Sequence, residues 1–411
     1  MSVNKRECVA LVAFQLPFDL NENGAAAMTA IVGISVVLLL IFSGLVMVQL
    51  SGRLINTQLR YQGQVLNTTE AGLEEGLSWF RRQSQQPVSS FNPVVDNSAT
   101  PPVNDSDEPT IGIVRSFRVS SLGNVWGRYE VRKQDANNDG TVDSDEEKRG
   151  VMDVSNERQL SPGSVWRVES DGFIYVQNDP NVAYNVLPNQ VILHKVMRTE
   201  IRRLAVVLPG GDAAINGAQG SSVTIGNASR VRGGNNIGIA YATATGNPTI
   251  TNPSFVTGNP VQSTTTNSFT ISAVFGVTEQ ELSGLADIDV ADSTDLPDPL
   301  PAMSLIVIRG NATFDAQRPL VGSGILVVFG DLTISPGSNS NFNGLIYVKG
   351  NYSQGAPSLI SGSVIGLQTI DVVGTGDFSE IDYSQTMIQQ IRKQLGNYRF
   401  TRTPYIFIPG S

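Results

Sequence analysis

Leu305-Ile306-Val307-Ile308-Arg309-Gly310-Asn311, Ile325-Leu326-Val327-Val328-Phe329-Gly330-Asp331 and Leu345-Ile346-Tyr347-Val348-Lys349-Gly350-Asn351 superimpose at a spacing of 20 residues. Gly324 and Gly344 keep the same step in front of the second and third copies. Gly226-Asn227 and Gly246-Asn247 show the spacing earlier, and Asp371-Val372-Val373-Gly374 reads as a last, irregular copy. A short apolar, β-branched run closed by Gly-Asn or Gly-Asp is a strand followed by a turn. A unit that short cannot bury its apolar residues alone, so neighbours must stack. The pattern predicts a C-terminal β-solenoid over residues 220–383 with coils of about 20 residues. The alternative is a β-sandwich of regular hairpins, which has no reason to hold so constant a register.

Residues 257–302 interrupt the repeat and are expected to project from the column, with a short helix at Glu279–Leu285. In the last segment, 384–411, Gln385–Leu395 reads as a helix and is expected to cap the open end of the column against edge pairing. An acidic, Thr/Asn-rich solenoid raises the alternative of polysaccharide chemistry, which calls for two placed carboxylates. Asp315, Asp331, Asp371 and Asp377 are the acids at hand. Acids in turns usually bond to backbone; no pair stands out, and the chain is not expected to be an enzyme.

With 411 residues the chain is too long for one ordinary core. Its 40% apolar and 16% charged residues mark a folded chain, and 40 Gly and 21 Pro mark a turn-rich one, so the expected class is α+β, mainly β. A net charge of −9 leaves no cationic face for phosphate, which argues against nucleic acid. Cys8 is the only cysteine, which rules out an intrachain disulfide and a thiolate zinc site. His194, the only histidine, sits in the strand-like run Val191–Val196 without a neighbouring partner for base or ligand chemistry, and a structural role is expected.

Upstream of the repeat, residues 111–210 read as an antiparallel head, with β-rich runs at Ser116–Ser120, Trp126–Lys133, Val165–Val176 and Gln190–Leu208. Between the first and second halves of that head, residues 135–146 match a twelve-residue calcium loop. Asp135, Asn137, Asp139 and Asp143 supply side-chain oxygens, Thr141 a backbone carbonyl, and Glu146 a bidentate carboxylate, with Gly140 at the turn. The alternative is a solvated Asn/Asp/Gly hairpin tip. A lone extracellular loop of this kind binds Ca2+ at roughly 10⁻⁴ to 10⁻³ M, which suits a structural ion.

Residues 83–110 carry Pro87, Pro93, Pro101, Pro102 and Pro109 and read as a linker. Before it, Ala25–Leu50 has no formal charge and is long enough to span a bilayer as a helix. Without a proline the pattern continues to Arg82, keeping Val65, Leu66, Thr69, Leu73, Leu77 and Phe80 on one face. One transmembrane and amphipathic helix over 25–82 is predicted.

Gly24 followed by Ala25-Ala26-Ala27, together with a helix that does not stop at the end of its apolar half, resembles the type IV pilin class. The likeness is closest to PilX-like minor pilins and to the large minor pseudopilins of type II secretion. Glu70-Ala71-Gly72-Leu73 is similar to an element common at this place in PilX-like chains. Ser170-Asp171-Gly172 and the later Arg198–Arg203 resemble their succession of strand, Ser-x-Gly turn and basic strand. The resemblance covers about residues 24–208. It implies a leader over 1–24, cleavage by a prepilin peptidase between Gly24 and Ala25, methylation of the new terminus, and packing of the helix among other pilin-like subunits. Thr29 stands where major pilins carry glutamate, as in subunits at a filament tip.

The function implied is that of a minor pilin or pseudopilin, first in the inner membrane of a bacterial envelope and then in a pilus at the cell surface. It would prime or cap the fibre, and its column would contact a surface or a glycan. The alternative is an uncleaved, membrane-anchored surface binding protein.

Overall fold

The computed structural model describes residues 22–119, 123–134, 148–243, 246–401 and 406–408. The chain is α+β and mainly β, with 22% helix and 38% strand. It divides into two compact units, 1–63 and 64–411.

Helix α1 runs Glu22–Arg82, 61 residues, and closes on Arg81 and Arg82, cations that suit the carbonyl end of the helix dipole. Every side chain over 31–47 is exposed, Leu39 at 70% and Phe42 at 71%. Ser35 and Ser43 donate their hydroxyls to the carbonyls of Ile31 and Leu40 at 2.8 and 2.9 Å, so neither leaves a polar group unpaired on this apolar surface. Among the described residues no helix is long and apolar enough to cross a membrane. The uncharged run of the sequence, Ala25–Leu50, is the segment on which the membrane expectation rests.

In the second unit, Val65, Thr69, Leu73, Leu77 and Phe80 are buried and Leu66 is half-buried, the face that the spacing predicts. That face packs on an antiparallel sheet of Gly112–Arg118, Val125–Arg132, Val165–Val176 and Gln190–Arg203. The shared core joins Leu73, Leu77 and Phe80 to Val131, Trp166, Val168 and Ile201. Helix and sheet meet so closely that a Cβ on Gly172 would overlap the Thr69 side chain. Ser170-Asp171-Gly172 is therefore the middle of one twelve-residue strand, Val165–Val176, and not the turn that the resemblance implies. The linker is irregular apart from the two-residue pairing of Val95–Asp96 with Val103–Asn104.

From Ala213 to Asp382 the strands are parallel and lie in two sheets. The repeat appears as register: Ile306 stands opposite Leu326, and Leu326 opposite Ile346, at the predicted step, whereas Ile346 stands opposite Val364, two residues shorter. The turns carry a side-chain ladder with the same step. Asn311 Oδ1 accepts the Asp331 N–H at 2.9 Å, Asp331 Oδ1 accepts the Asn351 N–H at 2.7 Å, and Asn351 Oδ1 accepts the Thr369 N–H at 3.3 Å. Each turn thus satisfies a backbone donor of the next layer, which is the physical reason for Asn or Asp after the glycine. Gly226 and Gly246 do not belong to this step: their strands pair with Thr224 opposite Thr249, a longer layer, so their spacing of 20 is not a register.

The order of layers in the stack differs from their order in the chain. Ala213–Gly217 pairs with Ile237–Ala242 on one side and, on the other, with Ser358–Gly366. The chain winds from 213 to one end of the stack at Gln262–Thr265, crosses to the other end at Ile288–Val290, and winds back until Ser379–Asp382 meets Ser229–Arg232. Residues 257–302 consequently do not project. They supply strands at both ends of the stack, and two helices between them, α2 (Ile271–Phe275) and α3 (Glu279–Leu285), cover the outer face of the larger sheet.

That cover explains why the repeat reads as continuous apolar runs. Ile306, Leu326 and Ile346 point into the core between the sheets, while Leu305, Ile325 and Leu345 pack outward against Val274, Phe275 and Leu282. Helix α4 (Gln385–Gln394) joins this outer layer through Ile388 and Ile391, so it covers a face of the stack and not its end. Nor is the last segment only a cap: Tyr398–Phe400 and Ile406–Ile408 pair antiparallel with Gln190–Arg203 in the head sheet.

Candidate functional site

Gly24 and Ala25 lie inside the first turns of α1, and their side-chain surroundings fall outside the described residues. The six calcium-loop positions, Asp135, Asn137, Asp139, Thr141, Asp143 and Glu146, also fall outside them. The base of that loop is described. Lys133 bridges to Val151, the Val151 N–H donates to the Arg132 carbonyl at 2.9 Å, and a Cβ on Gly150 would stand 2.5 Å from the Gln134 backbone. Backbone pairing thus holds the two ends of the loop side by side, the arrangement that a closed ligand loop requires. Among the described residues no three His, Cys, Asp or Glu side chains are grouped as metal ligands.

The residues leaving the loop lead to the face of the head sheet opposite α1. Strand alternation places Trp126, Arg128, Glu130 and Arg132 on that face with Glu169, Asp171, Phe173 and Tyr175. His194 and Arg198 come from the neighbouring strand, opposite Phe173 and Glu169. Glu169 and Asp171 are 2% and 3% exposed, and each is paired. Arg198 reaches Glu169 at 2.6 Å, and Arg149, just beyond the calcium-type loop, stands 3.5 Å from both carboxylates. Burial pushes the Glu169 pKa up, and the bond and charge of Arg198 only partly offset it.

His194 is better supplied than the sequence suggests. Its Nε2 lies 2.8 Å from Asp171 Oδ1, and its ring stacks on Phe173 with centroids 4.3 Å apart. The partner sits 23 residues away in the chain and across one strand pair. The sequence signal for it is alternation: Glu169, Asp171 and Phe173 share one face, and so do His194 and Arg198 on the adjacent strand. At the other edge Arg128, 7% exposed, is held by Glu130 at 2.6 Å and Glu108 at 2.5 Å, with its guanidinium 4.6 Å from the Tyr184 ring. These charges satisfy one another, so the arrangement suits recognition better than proton transfer.

Three of the four acids of the repeat serve turns. Asp315 Oδ1 accepts the N–H groups of Gln317 and Arg318, and Asp377 Oδ1 accepts that of Phe378. Asp331 holds its place in the ladder, and Asp371 lies in Ile370–Val373. No protein family, no curated protein and no solved structure matches this chain.

Proposed function

We propose that this chain is a minor pilin or pseudopilin, a structural subunit of a type IV pilus-like filament that carries a β-solenoid. One observation carries the reading: a single 61-residue helix exposes every side chain of a stretch, 31–47, that is apolar but for Ser35 and Ser43, yet buries its last turns beneath an antiparallel sheet. Water disfavours so much exposed apolar surface. Lipid before assembly and sister helices afterwards would remove it, and the serine hydroxyls already turned onto the helix backbone suit both settings. On this reading the full run Ala25–Leu50 spans the inner membrane, and prepilin peptidase cuts between Gly24 and Ala25. The parallel registers and the Asn/Asp ladder support the solenoid, and the pinned base at Lys133–Val151 supports a structural Ca2+ on residues 135–146. The role is structural and recognitional at the cell surface, with other pilin-like subunits as partners.

One observation favours the uncleaved anchor as a second reading: α1 begins at Glu22, so Gly24 and Ala25 lie within helix. Terminal sequencing of the protein from sheared surface fibres and from membranes separates the two. A mature terminus at Ala25 in the fibre fraction is expected. A chain that keeps its first 24 residues, extracts only with detergent and never enters fibres would end the filament reading.

A further inference from the structure

The outer face of the head sheet holds a cleft of about 750 Å³ beneath the loop 180–185, within the about 300–1,000 Å³ usual for small-molecule sites. Four charged side chains line it and cancel in pairs. Arg128 bonds Glu108 at 2.5 Å and Glu130 at 2.6 Å, and Arg132 bonds Glu130 at 2.5 Å. The cleft therefore offers no net charge to draw in an anion or a cation.

Its other lining residues include aromatic rings and amides. Trp126 lines the cleft half-buried, whereas Trp79 and Trp166 are 3% and 4% exposed in the core beneath the sheet. The rings of Tyr175 and Tyr184 continue the wall, 5.7 Å apart. Gln177, Asn181 and Asn185 bring side-chain amides that meet no protein partner among the described residues. A pyranose matches this set: its C–H face covers an indole, and its hydroxyls, each a donor and an acceptor, pair with amides that are both. A lipid tail would leave the amides without donors or acceptors to meet.

We infer that this cleft binds a short neutral saccharide. The inference stands apart from the filament reading, because every residue it uses belongs to the unit 64–411. The full chain, held in a zwitterionic detergent without a sugar headgroup, is titrated with cellobiose, maltose, lactose and N,N′-diacetylchitobiose. A second arm uses plates coated with cellulose, amylose or chitin to tell a surface glycan from a free sugar. Tryptophan fluorescence reports on Trp126, the one indole outside the core, and calorimetry reads the variants.

Binding of at least one disaccharide or its polymer with a dissociation constant on the order of 1 mM is expected. Trp126→Ala and Asn181→Ala should each weaken it at least about tenfold with the melting temperature of the exposed Asn181 variant unchanged. Binding only to a plate keeps the inference and identifies the source as a surface glycan. No response in either arm, or one that both variants leave intact, overturns it, and neither result bears on the mature terminus or the fibre.

Discussion

Arg230 and Glu380, 150 residues apart in the chain, stand opposite each other in adjacent parallel strands, and their side chains close to 3.2 Å. Arg232 repeats the contact with Asp382 at 3.2 Å and also reaches Glu380. The Arg230 guanidinium lies 3.3 Å from the centre of the Phe378 ring. This ladder fastens the layer that begins the stack to the layer the chain lays down last. Ion pairs with sides this exposed contribute about 0–1 kcal/mol each, so their value here is register.

Charge reversal tests that. Glu380→Arg should place like charges opposite one another at Arg230 and Arg232 and lower the urea midpoint of unfolding. Arg230→Glu combined with Glu380→Arg restores opposite charges at the directly opposed pair, leaves Arg232 its contact with Asp382, and should recover part of the loss. If the double variant is no better than the single one, the seam is held by Val231 and Ile381 alone.

The seam is also a contact that no local pattern of the sequence encodes. The repeat at Leu305, Ile325 and Leu345 is legible because one short motif recurs at one step, and the short helix Glu279–Leu285 is legible too, with a capping box at Thr278 and Glu281 found only in the structure. The order of layers is not. Parallel pairing between Ile215 and Val364 leaves no local trace, since either strand would read the same in any position of the stack. The buried face of α1 could be read from spacing, but the partner of His194 lay one strand pair away and needed the register. The calcium-type loop lies outside the described residues, and the structure adds only its base.

Gly344 should be intolerant of any side chain. A Cβ there would overlap the Gly324 carbonyl, as one on Gly362 would overlap that of Gly344. The three residues share one corner of adjacent layers in register. Gly344→Ala is expected to destabilise the fold by on the order of 3 kcal/mol through forced backbone movement. Gly337→Ala, at a turn where a Cβ would meet nothing within 4 Å, should cost less despite its positive φ of 84°. Equal losses in chemical denaturation would show that close approach is not the constraint at that corner.

Asp331 accepts from the Asn351 backbone N–H at 2.7 Å and its side-chain amide at 3.1 Å. Asp331→Ala removes Oδ1, the oxygen that accepts both bonds, and should cost about 1 kcal/mol per bond lost. Asp331→Asn keeps an acceptor oxygen and should recover most of that loss. Hydrogen exchange at the Asn351 amide gives a local reading: faster in the alanine variant, near wild type in the asparagine variant. Unchanged exchange in the alanine variant would remove the ladder as the reason for this residue.

The acidity of Glu169 links the outer face of the head to pH. Burial raises its pKa above the ordinary value near 4.5, against the opposing pull of Arg198 and Arg149. A carboxyl whose pKa rises on folding binds its proton more readily in the folded chain, so folding takes up protons in the window above 4.5. Stability from this group therefore grows as pH falls through that window, the reverse of an acid held low by a salt bridge. Glu169→Gln keeps the shape and does not titrate. The melting temperature of the wild type should rise relative to that of Glu169→Gln between about pH 7 and about pH 5. A fall over the same range would mean that the two arginines outweigh burial, and that Arg149 holds the exit of the calcium-type loop through a carboxylate kept ionised.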